Sequence, residues 1–249
     1  MPRWLSKFFR HTYKNRTFDQ QRMERGAAFG ELKVRQRITL DAPVVCRRCN
    51  NGWMSELEDL AKPILVPLIT HPHVPRSITA VECLTLASWL ATKSVVVDFH
   101  NFTIGGQTTL FYKPQQRRSL RDRTVPPSLS TVWLGRMQKR RSGSGDFQTI
   151  YYSRLYVNPA FRHLKATITT MAINEVVIQL VAWRKMNARA TIPDPIPWFH
   201  APNIGTWDDY LTDIWPELPT SLEWPPNLMF QRGNFQSLAH RLVGFPPRK

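Results

Sequence analysis

The amino-acid sequence predicts an α+β fold, with a β-ribbon and a helix near the N-terminus followed by a helical and antiparallel β-rich part. Three observations support this. Apolar residues alternate with charged or polar ones in residues 27–45, which is typical of a half-buried ribbon. Apolar residues recur at helical spacing in residues 57–68 and 79–98. Beyond residue 99, four runs rich in β-branched and aromatic residues predict antiparallel strands.

The N-terminal part is built around the predicted ribbon. Residues 1–26 are polar, basic and aromatic, and we expect them to be poorly anchored. Asp41 begins a predicted turn after the ribbon. Ser55 and Glu58 form a capping-box pattern for the next helix, in which Pro63 should introduce a kink or a restart.

The second part begins after a stiff linker at residues 71–75. We therefore predict two domains, an N-terminal finger at residues 1–70 and an α+β domain at residues 76–249. The second domain is predicted to contain two helices, one at 79–98 and a basic one at 110–123. After them come strands at 130–137, 148–157, 165–173 and 176–184, with a loop at 140–145 between the first two strands. An irregular Pro- and Trp-rich arm at 188–226 and a short helix at 235–242 follow.

Composition indicates a protein that associates with polyanions. The chain has 249 residues, a formal net charge of +16 and 42% hydrophobic residues, among them nine tryptophans. The charge predicts salt-dependent attraction to nucleic acid, and DNA is the partner we expect. No uncharged apolar run of 18 residues occurs and three cysteines do not form a disulfide framework, so we predict no membrane span and a cytoplasmic location.

Cys46 and Cys49 form a C-x-x-C motif, which is a candidate metal-binding motif. Two cysteines separated by two residues can direct both sulfurs to one point, which is half of a tetrahedral zinc site. The alternative is two buried thiols at a turn. Cys83 lies within a helical pattern and is predicted to be a small buried apolar residue. His71 and His73 could complete a zinc site, although linker histidines are the simpler interpretation.

The run C-R-R-C-N-N-G-W-M-S-E-L-E at residues 46–58 resembles the second zinc knuckle of the HNH, or ββα-metal, endonucleases. The whole chain resembles a group of bacterial and phage proteins within that superfamily. Five further landmarks, one before this run and four after it, extend the resemblance over nearly all of the chain. They are P-R-W-L at 2–5, L-A-S-W-L-A-T-K at 86–93, V-W-L-G at 132–135, and the I-W-P and W-P-P runs at 214–216 and 224–226.

The resemblance implies metal-dependent hydrolysis of DNA phosphodiesters, with a structural zinc ion and a catalytic divalent metal such as Mg²⁺. Asn50 occupies the position that binds the catalytic metal, and Cys46 and Cys49 occupy the zinc knuckle. Asp41 lies near the position that orients the general base, but a plain turn aspartate is the alternative. In the group, a first C-x-x-C and a Glu-His pair precede the P-x-W-L landmark.

Since the chain begins one residue before that landmark, we expect it to be an inactive or late-started member. An in-frame upstream extension should then encode the first knuckle and the base.

Several arginines are the predicted DNA contacts. Arg35, Arg37, Arg47 and Arg48 lie on the ribbon and knuckle, the element that the resembling nucleases place against the DNA backbone. Further basic groups occur at residues 117–123 and 139–141, where a solvated face is the ordinary interpretation. Two other functions remain open: a non-enzymatic nucleic-acid-binding protein, and a protein-interaction module that uses the Trp-rich arm at residues 198–224.

Overall fold

The computed structural model describes residues 4–5, 18–24, 27–35, 45–101, 103–104, 107–108, 110–138, 148–156, 164–185, 210–229 and 231. The helices are α1 (Arg47–Asn51), α2 (Trp53–Thr70), α3 (Ala80–Asn101) and α4 (Pro114–Arg123). The strands are β1 (Phe18–Glu24), β2 (Ala27–Arg35), β3 (Arg76–Thr79), β4 (Thr103–Ile104), β5 (Gln107–Thr108), β6 (Ser130–Arg136), β7 (Gln148–Tyr156), β8 (Leu164–Ile173), β9 (Val176–Lys185), β10 (Leu211–Trp215) and β11 (Ser221–Trp224). The α+β class predicted from the sequence is confirmed.

A five-stranded antiparallel sheet carries the larger part of the core. Its strand order is β10-β6-β9-β8-β7, and each neighbouring pair is antiparallel. The four strands predicted from β-branched and aromatic runs, β6 to β9, match the structure to within a residue at each end. Strands β6 and β9 are buried along nearly their whole length, in agreement with the apolar stretches at 132–134 in β6 and at 176–178 and 180–183 in β9.

The prediction of an irregular arm at residues 188–226 is wrong for its described part. Strand β10 extends the main sheet by pairing with β6, and β11 pairs with β3. Both strands are short and are followed by proline, so neither produces a detectable period in the sequence. Tertiary burial specifies them instead, because Ile214 and Trp224 are 0% and 1% exposed.

Helix α3 crosses the centre of the protein and packs on β9 and β10. Five buried residues in its middle, from Leu86 to Leu90, follow one another without a polar face. Val81, in the first turn of this helix, is exposed. The segment Ala80–Phe99 has the length and composition of a membrane span, but 56% of its most apolar window is buried inside this protein. It serves here as a core helix.

One hydrophobic cluster combines residues from both predicted domains. Leu57 and Leu65 of α2 belong to the same cluster as Leu90 of α3 and Ile178 of β9. One core therefore contains residues from both sides of the linker at 71–75. The division into two domains stays a prediction. The expectation that the N-terminal segment is poorly anchored is wrong for its first described part, since Leu5 is fully buried in this cluster.

Helix α2 begins earlier than predicted. Its first residue is Trp53 and its N-cap is Gly52, so Ser55 lies inside the helix and the predicted capping box is wrong. The Glu58 side chain points to other donors described below. A Cβ at position 52 would lie 2.8 Å from the Arg48 carbonyl oxygen, so glycine allows α1 and α2 to join closely. Pro63 does not restart the helix, because buried Ile64, Leu65 and Leu68 hold the next turn in place.

The predicted ribbon is partly described. Strands β1 and β2 form an antiparallel hairpin. The first of them was missed, because its polar sequence shows no apolar alternation. Residues 36–44, including the predicted turn at Asp41, lie outside the described residues, as do the predicted loop at 140–145 and helix at 235–242.

Gly135 permits the close approach of β10 to β6. A Cβ there would lie 2.5 Å from Leu211 Cδ2 and 2.7 Å from the Tyr210 carbonyl oxygen. Gly135→Ala should therefore lower the free energy of unfolding by about 1–3 kcal/mol, as overpacking does. Urea denaturation measures this change, with Thr212→Ala at an exposed site on β10 as the control. Equal stability of the two variants would contradict the close-packing account.

Candidate functional site

Cys46 and Cys49 lie at the start of the one-turn helix α1. Cys46 is the N-cap residue, and its Sγ accepts a hydrogen bond from the Cys49 backbone N–H at 3.4 Å. The Asn50 N–H donates to the Cys46 carbonyl oxygen at 3.0 Å. Cys46 is exposed and Cys49 half-buried, so both thiols are accessible and the alternative of two buried thiols is wrong.

The environment of Cys46 favours its thiolate. The pKa of Cys46 is lowered, first by the backbone N–H of Cys49 and next by a hydrogen bond from the Cys49 side chain. Both cysteines also line the same cavity. Cys83 shows the opposite behaviour: it is fully buried, as predicted, and burial raises its pKa to about 11.

The described residues provide the type of ligand that zinc prefers, but fewer ligands than a zinc site needs. Cys46 and Cys49 are two thiolate ligands of the type zinc prefers, yet no group of three or more His, Cys, Asp and Glu side chains occurs in the described part of the chain. Asn50 is exposed, and its Nδ2 donates to Asn51 Oδ1 at 3.1 Å. Asp41 is outside the described residues.

His71 and His73 lie at the far end of α2 from the knuckle. Eighteen helical residues span about 27 Å, since each adds about 1.5 Å. His73 instead contacts the buried Arg136, and its Nε2 is 3.7 Å from Glu175 Oε1. The two histidines are thus far from the cysteines at the other end of the helix.

A cavity of about 390 Å³ opens beside the cysteine pair. Its apolar walls come from three helices. Those wall residues are Trp53 and Met54 of α2, Val95, Val96 and Phe99 of α3, and Leu120 of α4. The volume is within the range of about 300–1,000 Å³ that is common for small-molecule sites. The knuckle therefore borders a concave surface that can hold a ligand group.

Three arginines of α4 line the same cavity, namely Arg117, Arg118 and Arg121. The Arg117 guanidinium lies 4.9 Å from the centre of the Phe99 ring. Hydrogen bonds to Asp122 raise the pKa of Arg121. The α4 arginines and the cysteine pair are about 70 residues apart in sequence, yet they line the same cavity.

We use the name knuckle–α4 surface for the three arginines that line the cavity, Arg117, Arg118 and Arg121, together with Arg47 and Arg48 of the adjoining helix α1. Arg47 and Arg48, predicted as DNA contacts, are exposed on it. Arg35 is the last residue of β2, and Arg37 lies outside the described residues. From the sequence, the α4 arginines were interpreted as a solvated face and were not predicted as DNA contacts. Their i, i+4 spacing at positions 117 and 121 was the available signal, but it cannot show which element the helix faces.

A half-buried carboxylate, that of Glu58, connects three landmarks of the sequence. Glu58 Oε2 accepts hydrogen bonds from Trp4 Nε1 at 2.8 Å and from Trp89 Nε1 at 2.9 Å. Glu58 Oε1 contacts the Lys93 ammonium, which also lies 5.5 Å from the Trp89 ring centre. We call these four residues the Glu58 cluster. It holds α2 against α3 and anchors Trp4 to both.

Comparison of the chain with protein-family models, curated proteins and solved structures finds no match.

Replacing Glu58 by Gln tests the cluster. Three donors converge on the carboxylate, and an amide would point its own donor at one of them. We expect Glu58→Gln to lower the free energy of unfolding by about 3 kcal/mol. Glu56→Gln, at an exposed position in the first turn of the same helix, is the control. Chemical denaturation of both variants measures the difference, and a loss no larger than that of the control would contradict the cluster's role.

The lowered pKa of Cys46 predicts selective alkylation. Since only the thiolate reacts, Cys46 should react with iodoacetamide from a lower pH than an ordinary cysteine, and far faster than Cys83 near neutral pH. Cys49→Ala keeps the backbone donor but removes the thiol, so the pKa of Cys46 should move partly back up. Peptide mass spectrometry over a pH series measures both effects. An identical pH profile in folded and urea-unfolded protein would show that the fold does not activate Cys46.

Proposed function

We propose that this chain binds DNA through the knuckle–α4 surface, as an HNH-endonuclease-like protein. The observation that supports this best is a single concave site lined by three arginines of α4 and by the cysteine pair, with Arg47 and Arg48 exposed on the adjoining helix α1. Guanidinium groups recognise phosphate well, because their planar donors match its oxygen atoms. A net charge of +16 adds long-range attraction to the nucleic acid.

The resemblance to HNH nucleases supports the same surface. In the resembling proteins the ββα element lies against the DNA backbone, and Arg47 and Arg48 occupy that element here. Such phosphate contacts position a protein without reading the base sequence. Binding should therefore depend on charge and be nearly independent of sequence.

Cleavage of DNA needs more than the described residues offer. Cys46, Cys49 and Asn50 correspond to one knuckle and one catalytic ligand of the HNH pattern. Two thiolates hold zinc weakly, because structural sites use four ligands. We therefore propose binding as the activity of this chain and expect no nicking of plasmid DNA with Mg²⁺.

The described part of the Trp-rich arm gives less support to a protein-interaction module. Trp224 is buried, and its Nε1 donates to the Pro72 carbonyl oxygen at 3.1 Å. Trp215 is partly buried against the core. These two side chains are used within the fold.

Salt-dependent binding tests the proposal. The affinity for a labelled DNA duplex should fall steeply with salt, with a logarithmic slope of about −0.9 for each phosphate neutralised. The double variants Arg47→Ala/Arg48→Ala and Arg118→Ala/Arg121→Ala should each weaken binding to all sequences alike and reduce the slope by about 2. Fluorescence anisotropy at several salt concentrations measures both quantities.

The matched control is Lys62→Ala, which removes one positive charge from an exposed position on α2 away from the cavity. It should change affinity little, because charges beyond about 10 Å are largely screened in 0.1 M salt. Binding that ignores salt would contradict phosphate contacts. A loss per charge as large for Lys62→Ala as for the surface arginines would contradict the location.

A further inference from the structure

The cavity beside the knuckle presents hydrogen-bond donors above an apolar floor. Its described lining residues include the three α4 arginines and Trp53, and none of them is acidic. The floor is formed by Val95, Val96 and Leu120. A ligand that fits must combine an apolar or aromatic body with acceptor atoms and negative charge.

Trp53 supplies a second, independent observation. Its indole Nε1 is buried and has no hydrogen-bond partner, while the ring lines the cavity. A buried donor without an acceptor costs about 1–3 kcal/mol, so native structures pair nearly all of them. A ligand acceptor at this position would remove the cost.

We propose that the cavity receives an unstacked nucleobase, while the adjoining phosphates contact Arg118 and Arg121. This inference rests on the proposed DNA binding and adds its substrate class: single-stranded or locally opened nucleic acid. Every nucleobase has a flat face for apolar contact and acceptor atoms on its edge, and single-strand-binding proteins combine such contacts with a basic groove. The Phe99 ring, with Arg117 against it, offers an aromatic and cationic wall for that contact.

An acyl chain with a carboxylate would also fit an apolar cavity with a basic rim. It has no acceptor along its length for the Trp53 N–H, and a single carboxylate uses only one of the three guanidinium groups. The donors at separate places in the lining favour a ligand that has acceptors at both its ring and its backbone. A nucleotide unit has this distribution.

The test compares two single-stranded oligomers of equal length and equal phosphate count. One is oligothymidine, and the other carries abasic sites in place of most bases. Oligothymidine should bind about 5- to 100-fold more tightly, which is the effect of contacts to one base. Fluorescence anisotropy at one fixed salt concentration measures both affinities.

Val96→Trp should fill the cavity and reduce this preference to less than 2-fold, and the affinity for each oligomer is measured separately. The matched control is Val81→Trp, the same substitution at a position of α3 that is 74% exposed and outside the cavity. Trp53→Phe keeps an aromatic ring but lacks the N–H, and should reduce the preference about 2- to 10-fold. Circular dichroism establishes that each variant is folded, and Trp53→Phe decides the question if Val96→Trp is not.

The outcomes separate this inference from the proposed function. Equal, salt-dependent binding of both oligomers by the wild type would overturn the base site and keep DNA binding. No binding of either oligomer at low salt would overturn both. A base preference that survives both Val96→Trp and Trp53→Phe would show that the bases bind elsewhere.

Discussion

The Glu58 carboxylate fixes the geometry on which the rest of the candidate site depends. It accepts hydrogen bonds from two indoles and contacts one ammonium group, and these donors come from the N-terminal segment and from α3. A partly buried charge is stable only when such partners compensate its lost hydration. Because α2 continues from α1 across Gly52, holding α2 against α3 also fixes the position of the cysteine knuckle.

A second carboxylate, that of the fully buried Asp98, positions helix α4, which forms another wall of the cavity. Its Oδ2 accepts the Phe111 backbone N–H at 2.8 Å, and its Oδ1 accepts the Tyr152 hydroxyl at 2.6 Å. These bonds connect the end of α3 with the residues that lead into α4 and with the main sheet. The α4 arginines therefore face α3 because the helix start is held by a side chain in the core. The two walls of the cavity, α2 and α4, are thus both attached to α3 through these carboxylates.

Taken separately, the cysteine pair and the basic helix α4 would each say little about function. Two cysteines with a one-turn helix are half of a metal site, and an arginine-rich helix is most often a solvated face. Placed together around an apolar cavity, they form a surface with charge, shape and an unpaired donor. That combination supports a nucleic-acid partner more strongly than net charge does, since net charge informs about association in general and not about a site.

The sequence by itself determined the α+β class, strands β6 to β9, helix α3 and the buried state of Cys83. Those features depend on local periodicity and hydrophobicity, which neighbouring residues encode. The cysteine pair and its short spacing were equally local. Strand β1 was missed because its polar residues carry no alternation, and β10 and β11 because they are short and specified by contacts distant in sequence.

Tertiary structure alone decided which groups meet. Helix α2 begins at Trp53 and not at the predicted cap Ser55, because Gly52 allows α1 to join it closely. The Glu58 side chain binds Trp4, Trp89 and Lys93 instead of capping the helix. The α4 arginines line the same cavity as Cys49, far away in sequence, because Asp98 holds the residues before their helix. No local pattern encodes such an encounter, because packing energy and buried hydrogen bonds are summed over the whole core.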